Sequence, residues 1–263
     1  ISACALVLAV TLRFFRPISQ SMHSTVRRKG GAAMEGSRGL LPALFRREWK
    51  RYLASSIYVT NTAIGPLLAV IGAAALSFAD ISAVADLGLP LNAMAPFALS
   101  TALCMMPPAA VSLSMEGKQR WITRTLPIPP AALLDGKMLM TLSLELPCAL
   151  LASLLLCSSL HPTAVDAFFL FVLPPLFCLL SANFGLCSDV LLGSTEWERE
   201  VTVVKQSASS MAGGLGVMLL CVACCAASAL LPAPAFRFFR LALLLLLPVL
   251  SLLLRRFNIR RMQ

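Results

Sequence analysis

Few side chains in this sequence could take part in chemistry, and they are widely spaced. Glu145 lies in the middle of a long apolar stretch. A carboxylate there is costly to bury, which makes Glu145 a candidate for a transport pathway, with a protonated or paired packing residue as the alternative. Asn183 lies in another apolar stretch. We favour an interhelical hydrogen bond for its amide, and contact with a transported substrate is the second possibility.

The nine cysteines and two histidines form no metal or redox motif. Cys221 and Cys224 have C-x-x-C spacing, but they lie among Val, Leu and Ala without a nearby His or second Cys pair. His161 has no partner at ligand spacing and is interpreted as a loop residue. Free cysteine in an apolar stretch behaves as a small hydrophobic residue. We therefore predict no metal site and no cofactor bound by this chain.

Hydropathy indicates which elements position these residues. Hydrophobic residues make up 58% of the chain and charged residues 13%, with a mean hydropathy of +0.83, whereas a globular domain has about 25% charged residues. Several apolar blocks reach the roughly 20 residues that a helix needs to cross a bilayer, and they lack the alternation of a membrane β-barrel. We predict an all-α polytopic membrane protein with about six transmembrane helices. The predicted spans are 57–79, 93–115, 138–160, 164–192, 207–231 and 238–254.

The residues before the first span divide into three segments. Residues 1–16 are interpreted as the end of a preceding, truncated transmembrane helix, because the apolar run is too short to span. Residues 17–39 are polar and basic, which predicts a cytoplasmic linker. Residues 40–54 carry Trp49 and Tyr52 among charged residues at helical spacing, which predicts an interfacial amphipathic elbow helix. Residues 40–263, which include this helix, are predicted to form one six-helix transmembrane domain.

Basic residues fall in alternate connections. Ten precede the first span, four lie between the second and third, two lie between the fourth and fifth, and four follow the last. This distribution predicts that these segments and the C-terminus face the cytoplasm. Arg237 and Arg240 fall on the other side, where we expect their side chains to snorkel to the outer headgroups. Retention of cytoplasmic loops explains the net charge of +10 without a nucleic-acid partner.

The loop between the second and third spans has the most distinctive sequence. It contains S-M-E-G-K-Q-R-W-I-T-R-T-L-P-I-P-P over residues 114–130 and L-L-D-G-K over residues 133–137. A short amphipathic helix closed by prolines would place Trp121, Ile122 and Thr125 on one face. Such a face is suited to docking against another protein.

This loop resembles the hallmark loop of ATP-binding-cassette (ABC) transporter permeases of the type-2 exporter class, in a bacterial branch. The stretch E-W-E-R-E-V-T-V-V-K-Q-S over residues 196–207 is similar to the next cytoplasmic signature of that branch. Residues 44–68 are similar to its elbow helix and first span. The resemblance runs from residue 40 to the C-terminus and indicates the C-terminal six-helix half of such a permease.

The resemblance implies a plasma-membrane subunit that couples ATP hydrolysis by a separate ATPase chain to substrate export, and no enzyme activity of its own. Its implied partners are cytoplasmic ABC ATPase subunits, membrane lipid, and a second permease half or homodimer partner. ATP and Mg²⁺ would be bound by the ATPase, because neither G-K-Q at 117–119 nor G-K-M at 136–138 belongs to a phosphate-binding loop. The residues implied for ATPase coupling are Glu116, Gly117, Lys118, Trp121, Leu126, Pro127 and Pro129. Those implied for the second cytoplasmic signature are Trp197, Glu198, Lys205 and Gln206.

Two other classes of function stay open. An ion-coupled secondary transporter could use Glu145 as a proton site. A membrane-embedded enzyme is the weaker alternative, because the sequence has no H-E-x-x-H motif and no paired carboxylates within its apolar blocks.

Overall fold

The computed structural model describes residues 39–78 and 90–263. Within these residues the chain is all-helical and contains no β-strand, which confirms the all-α part of the predicted fold class. The predicted truncated helix over 1–16, and the predicted linker over 17–39 apart from Gly39, lie outside the described residues. The helices are α1 (Leu40–Ala54), α2 (Ser56–Phe78), α3 (Leu91–Leu103), α4 (Arg120–Thr125), α5 (Pro130–Leu160), α6 (Ala164–Leu192), α7 (Glu200–Gln206), α8 (Ala208–Leu230) and α9 (Ala233–Met262).

Six segments of the described chain are long and apolar enough to cross a membrane, in agreement with the predicted number. α6 coincides with the predicted fourth span, and α2 and α8 differ from the first and fifth by one residue at each end. α1 also has the bounds predicted for the amphipathic helix. The apolar blocks therefore locate α2, α6 and α8 to within one residue at each end.

The second span is not the continuous helix over 93–115 that the sequence predicts. α3 ends at Leu103, and the chain continues to Gln119 through two short 3-10 turns. The cause is the pair Pro107 and Pro108, because proline cannot donate the helical hydrogen bond and disfavours helical conformation in the residue before it. The predicted continuous helix over 93–115 was therefore wrong.

Two helices extend beyond their predicted bounds toward the same end of the molecule. α5 begins at Pro130 rather than at 138, so Lys137 lies in the helix and not in a loop. α9 continues to Met262 rather than stopping at 254. Arg255 of α9 donates two hydrogen bonds to the Asp135 carboxylate, at 2.8 and 2.7 Å. This bidentate ion pair joins the start of α5 to the end of α9.

α6 is the central helix and packs against α3, α5, α8 and α9. Small residues let α8 approach the broken second span: a Cβ at Gly213 would lie 2.5 Å from the Ala110 Cβ, and one at Gly214 would lie 2.5 Å from the Met105 carbonyl oxygen. The two glycines therefore have a packing role.

The outward faces of α2 and α9 are apolar. Leu67 and Ile71 on α2 are 55% and 60% exposed, and Leu245 and Leu246 on α9 are 75% and 57% exposed. Exposed apolar surface of this extent is uncommon on a protein surrounded by water.

Arg240 is buried and does not reach outward as the sequence predicts. Its Nη1 donates a hydrogen bond to Asp166 Oδ1 at 2.6 Å. Its guanidinium carbon lies 4.4 Å from the centroid of the Phe169 ring and 4.6 Å from that of Phe236. Charge pairing and cation–π contacts make a buried arginine tolerable. Arg237, by contrast, is exposed.

Candidate functional site

The loop between the second and third spans presents a short exposed helix. α4 covers Arg120–Thr125, and Leu126 ends it in an extended conformation, as expected of a residue before a proline, here Pro127. Trp121 is 63% exposed, Ile122 40% and Leu126 48%. These side chains, which we call the α4 patch, place a tryptophan and two aliphatic residues on the surface of one short element.

The residues predicted to couple to an ATPase fall into two groups. Five of them are exposed: Lys118, Trp121, Leu126, Pro127 and Pro129. Glu116 and Gly117 are buried, so they are placed to position the loop and not to contact a partner.

Glu116 belongs to a cluster of four charged side chains beneath the loop. Lys137 Nζ lies 2.9 Å from Glu116 Oε1 and 3.1 Å from Glu48 Oε2, and donates to the Ser112 carbonyl oxygen at 2.8 Å. Arg51 Nη1 lies 3.1 Å from Glu48 Oε2 and 3.3 Å from Glu116 Oε1. We call Glu48, Arg51, Glu116 and Lys137 the buried charge network. Its two carboxylates and two cations balance.

The buried charge network connects three elements, because Glu48 and Arg51 lie on α1, Glu116 on the loop and Lys137 on α5. Moving one member away would leave the remaining three with an unbalanced charge in a largely buried site, which costs several kcal/mol. Thr123 of α4 donates a hydrogen bond to Glu116 Oε2 at 2.9 Å, so the α4 patch is fixed to the network as well.

Asp189, near the end of α6, holds the loop from the other side. Its Oδ2 accepts hydrogen bonds from the backbone amides of Leu113 at 2.6 Å and Ser114 at 3.2 Å. The Ser114 hydroxyl donates to the other carboxylate oxygen. A carboxylate with three donors is well satisfied in a buried site, so α6 fixes the start of the loop.

The second cytoplasmic signature reaches the same loop through Trp197. Its indole Nε1 donates a hydrogen bond to the Ser114 carbonyl oxygen at 2.8 Å. The ring covers Gly117, whose backbone has φ 53° and ψ −141°, a conformation open essentially to glycine alone. A Cβ at Gly117 would lie 3.1 Å from the ring. The other predicted residues of this signature, which are Glu198, Lys205 and Gln206, are exposed.

α7 attaches this signature to α1 and α2. The Ser55 hydroxyl donates to Glu200 Oε2 at 2.5 Å, and Asn61 Nδ2 donates to the Val204 carbonyl oxygen at 3.4 Å. Val204 packs in an apolar cluster that includes Tyr52. Burial raises the pKa of the Tyr52 phenol, whose oxygen accepts a hydrogen bond from the Thr62 hydroxyl at 3.1 Å.

The two candidate pathway residues lie in different surroundings. Asn183 Nδ2 donates to Ser251 Oγ on α9 at 2.8 Å, and the Asn183 carbonyl oxygen accepts from Asn258 at 3.0 Å. These contacts fit the interhelical interpretation of Asn183. Glu145 is fully buried, and neither of its carboxylate oxygens has a hydrogen-bond partner in the described part of the chain.

In residues 39–78 and 90–263, no three His, Cys, Asp or Glu side chains are arranged to hold a metal ion.

Comparison of the chain with models of protein families, with curated proteins and with solved structures gave no match. Functional inference therefore depends on the residues and their geometry.

Proposed function

We propose that this chain is the membrane-embedded permease subunit of an ATP-driven exporter of the ABC type-2 class. The observation that carries the proposal is the exposed α4 patch, mounted on the buried charge network. Tryptophan is among the residues enriched in protein-binding hot spots, and Arg120 beside it belongs to a second enriched type. A rigid base is what an element needs if it is to transmit force from a partner.

The partner that fits this surface is a separate cytoplasmic ATPase subunit, which would bind the ATP and Mg²⁺. Lys118, which is exposed, and Arg120, which is partly exposed, accompany the α4 patch. A complementary partner surface would be an apolar groove with acidic residues along its rim.

The mechanism follows from the connections of the loop. Closure of the ATPase would displace α4, and the buried charge network would carry that displacement to α1 and α5. A ligand shifts a conformational equilibrium only by its differential affinity for the two states, so ATP binding acts by favouring one arrangement of these helices. No bond in the substrate is made or broken.

The proposal places six helices across the plasma membrane with α1 at its inner surface and the C-terminus in the cytoplasm. Four contacts gather the predicted cytoplasmic segments at one end: Arg51 with Glu116, Lys137 with Glu48, Trp197 with Ser114, and Arg255 with Asp135. The excess of basic residues in these segments supports a cytoplasmic location. A second permease half or a second copy would complete the pathway.

The test is purification of the full chain from its native membrane in mild detergent, with mass spectrometry of what accompanies it. We expect an ATPase with a phosphate-binding loop. Trp121→Ala with Leu126→Ala should release that ATPase or abolish substrate-stimulated ATP hydrolysis, because it removes the α4 patch. Phe238→Ala, a 74% exposed residue on α9, is the matched control and should do neither.

Unchanged stimulation in the Trp121→Ala and Leu126→Ala double variant would contradict the coupling role of α4. Repeated purification without an ATPase, together with transport driven by a pH gradient alone, would favour an ion-coupled secondary transporter instead.

A further inference from the structure

We propose that Glu145 is a proton-binding site inside the helical bundle, occupied by a proton in the conformation described here. The inference stands apart from the proposed function, because it depends on the surroundings of one carboxyl group and not on any partner or energy source.

The first observation is the complete burial of Glu145 without a protein partner. Its exposed fraction is 0%, and both carboxylate oxygens are inaccessible and make no hydrogen bond to the described residues. The Ser181 hydroxyl, on α6, is also buried and without a partner. An ionised carboxylate in such a site would lack a counter-ion and would have only the weakly donating thiol of Cys178 beside it, which is costly enough that the group takes up a proton instead.

The second observation is the nature of the titratable groups near enough to Glu145 to interact with it electrostatically. They are the phenol of Tyr52 from α1 and the thiols of Cys104 at the end of α3, Cys148 on α5 and Cys178 on α6. No Lys, Arg or His within residues 39–78 and 90–263 is among the groups that act on it. The site is therefore polar enough to hold a neutral carboxylic acid, and it has no cation to hold a carboxylate.

The third observation is the position of the site at the break in the second span. Cys104 is the residue that caps α3, so the free carbonyl end of that helix lies at the same place. The C-terminus of a helix carries a partial negative charge, which further disfavours an anion. Because the second span has no continuous helix beyond this point, the break is the natural place for a rearrangement that would admit water.

Asp189 is the natural comparison for Glu145. Asp189 is as deeply buried, with 1% of its surface exposed, but it accepts hydrogen bonds from Leu113 and Ser114. Donors of this kind stabilise the ionised form, and the Glu145 oxygens accept no hydrogen bond from a backbone amide or hydroxyl of the described residues. A rearrangement that exposed Glu145 to water would release its proton.

The first experiment treats the purified full chain with dicyclohexylcarbodiimide, an apolar reagent that attacks protonated carboxyl groups, and maps the product by peptide mass. At neutral pH we expect modification of Glu145, none of Asp189, and none at position 145 in Glu145→Gln. Infrared difference spectra between wild type and Glu145→Gln should show a protonated-carboxyl C=O band that is lost in the variant.

The outcomes separate clearly. Glutamine has the shape of the neutral acid, so Glu145→Gln should melt within a few degrees of wild type. A spectrum showing an ionised carboxylate at position 145, held by bound water or a cation, would overturn the proposal. A large loss of stability in Glu145→Gln would also overturn it, because that result would mean that the fold requires the charge. If the reagent fails to reach the site, the infrared measurement decides.

Discussion

Lys137 illustrates how much of the candidate site depends on single residues. Its ammonium group, fully buried, is shared between carboxylates that lie 89 residues before it and 21 residues before it in the chain. If either cation of the network were removed, the two buried carboxylates would share the cation that remains, and the site would carry one uncompensated negative charge. The residues of the buried charge network therefore act on the α4 patch without reaching the surface themselves.

Lys137→Met is expected to lower the free energy of unfolding by about 3–5 kcal/mol, because it leaves two buried carboxylates with Arg51 as their one cation. Adding Glu116→Gln to Lys137→Met removes one of those charges and should recover part of the loss.

Arg255→Met is the control and breaks a pair that is partly exposed, with side-chain exposures of 36% and 23%. It should cost only about 0–1 kcal/mol. Denaturant titration in detergent measures all three, and equal losses for Lys137→Met and Arg255→Met would contradict the role of the network.

Gly117→Ala tests the backbone of the loop. Position 117 has a positive φ and faces the Trp197 ring, so alanine there should destabilise the protein by about 1–3 kcal/mol. Gly72→Ala is the matched control, since a Cβ at Gly72 meets nothing within 4 Å on an exposed helix. It should stabilise α2 by about 0.5–1 kcal/mol. Melting temperatures that shift in opposite directions would agree with this prediction, and two downward shifts would contradict it for Gly72.

At the scale of elements, the loop is held at three places by three helices and one connecting segment. α1 and α5 meet it through the buried charge network, α6 through Asp189, and the segment before α7 through Trp197. The break in the second span makes this possible, because a continuous helix would have carried residues 104–115 past these contacts. The position of α4 is therefore a product of packing among distant elements.

Trp197→Phe should loosen the loop while leaving the long helices intact. It removes the hydrogen bond from the indole to the Ser114 carbonyl, a loss of about 0.5–1.5 kcal/mol. Hydrogen exchange of the amides over residues 113–126 should accelerate by about two- to tenfold, which is that energy expressed as a rate ratio. Glu198→Gln, an exposed neighbour, is the control and should change nothing. Unchanged exchange in Trp197→Phe would mean that the hydrogen bond from Trp197 to Ser114 does not limit opening of the loop.

At the scale of the whole molecule, the two ends differ in character. One end gathers α1, the loop, α7 and the basic end of α9, and the other has the Arg240 and Asp166 pair. A charge distribution of this kind is what orients a multi-helix membrane protein. The apolar faces of α2 and α9 lie between the two ends and suit contact with lipid.

Cysteine labelling in whole cells tests this orientation. Lys118→Cys should react with a membrane-impermeant maleimide only after the cells are permeabilised, because the loop is predicted to be cytoplasmic. His161→Cys lies between α5 and α6 at the opposite end and should react in intact cells. The unsubstituted chain controls for the native cysteines, of which the eight described are buried or partly buried. The reverse labelling pattern would contradict the predicted topology.

The sequence alone determined the class of fold and most of the long helices. Hydropathy is a local property, so the apolar blocks locate α2, α6 and α8 to within a residue at each end, and the spacing of charged and aromatic residues locates α1. The loop was also recognisable from its sequence. The exposure of Trp121 and Leu126 in it requires no distant partner.

Only the tertiary structure decided how the loop is held. Nothing local marks Glu48 as the partner of Lys137, Asp189 as the acceptor for Leu113 and Ser114, or Glu145 as the acid that no residue pairs with. These relations join helices that are far apart in sequence. Charge pairing depends on distances between atoms, which one amino-acid sequence does not give directly. The physical reason is that helices are specified by neighbours along the chain, whereas buried charges are specified by neighbours in space.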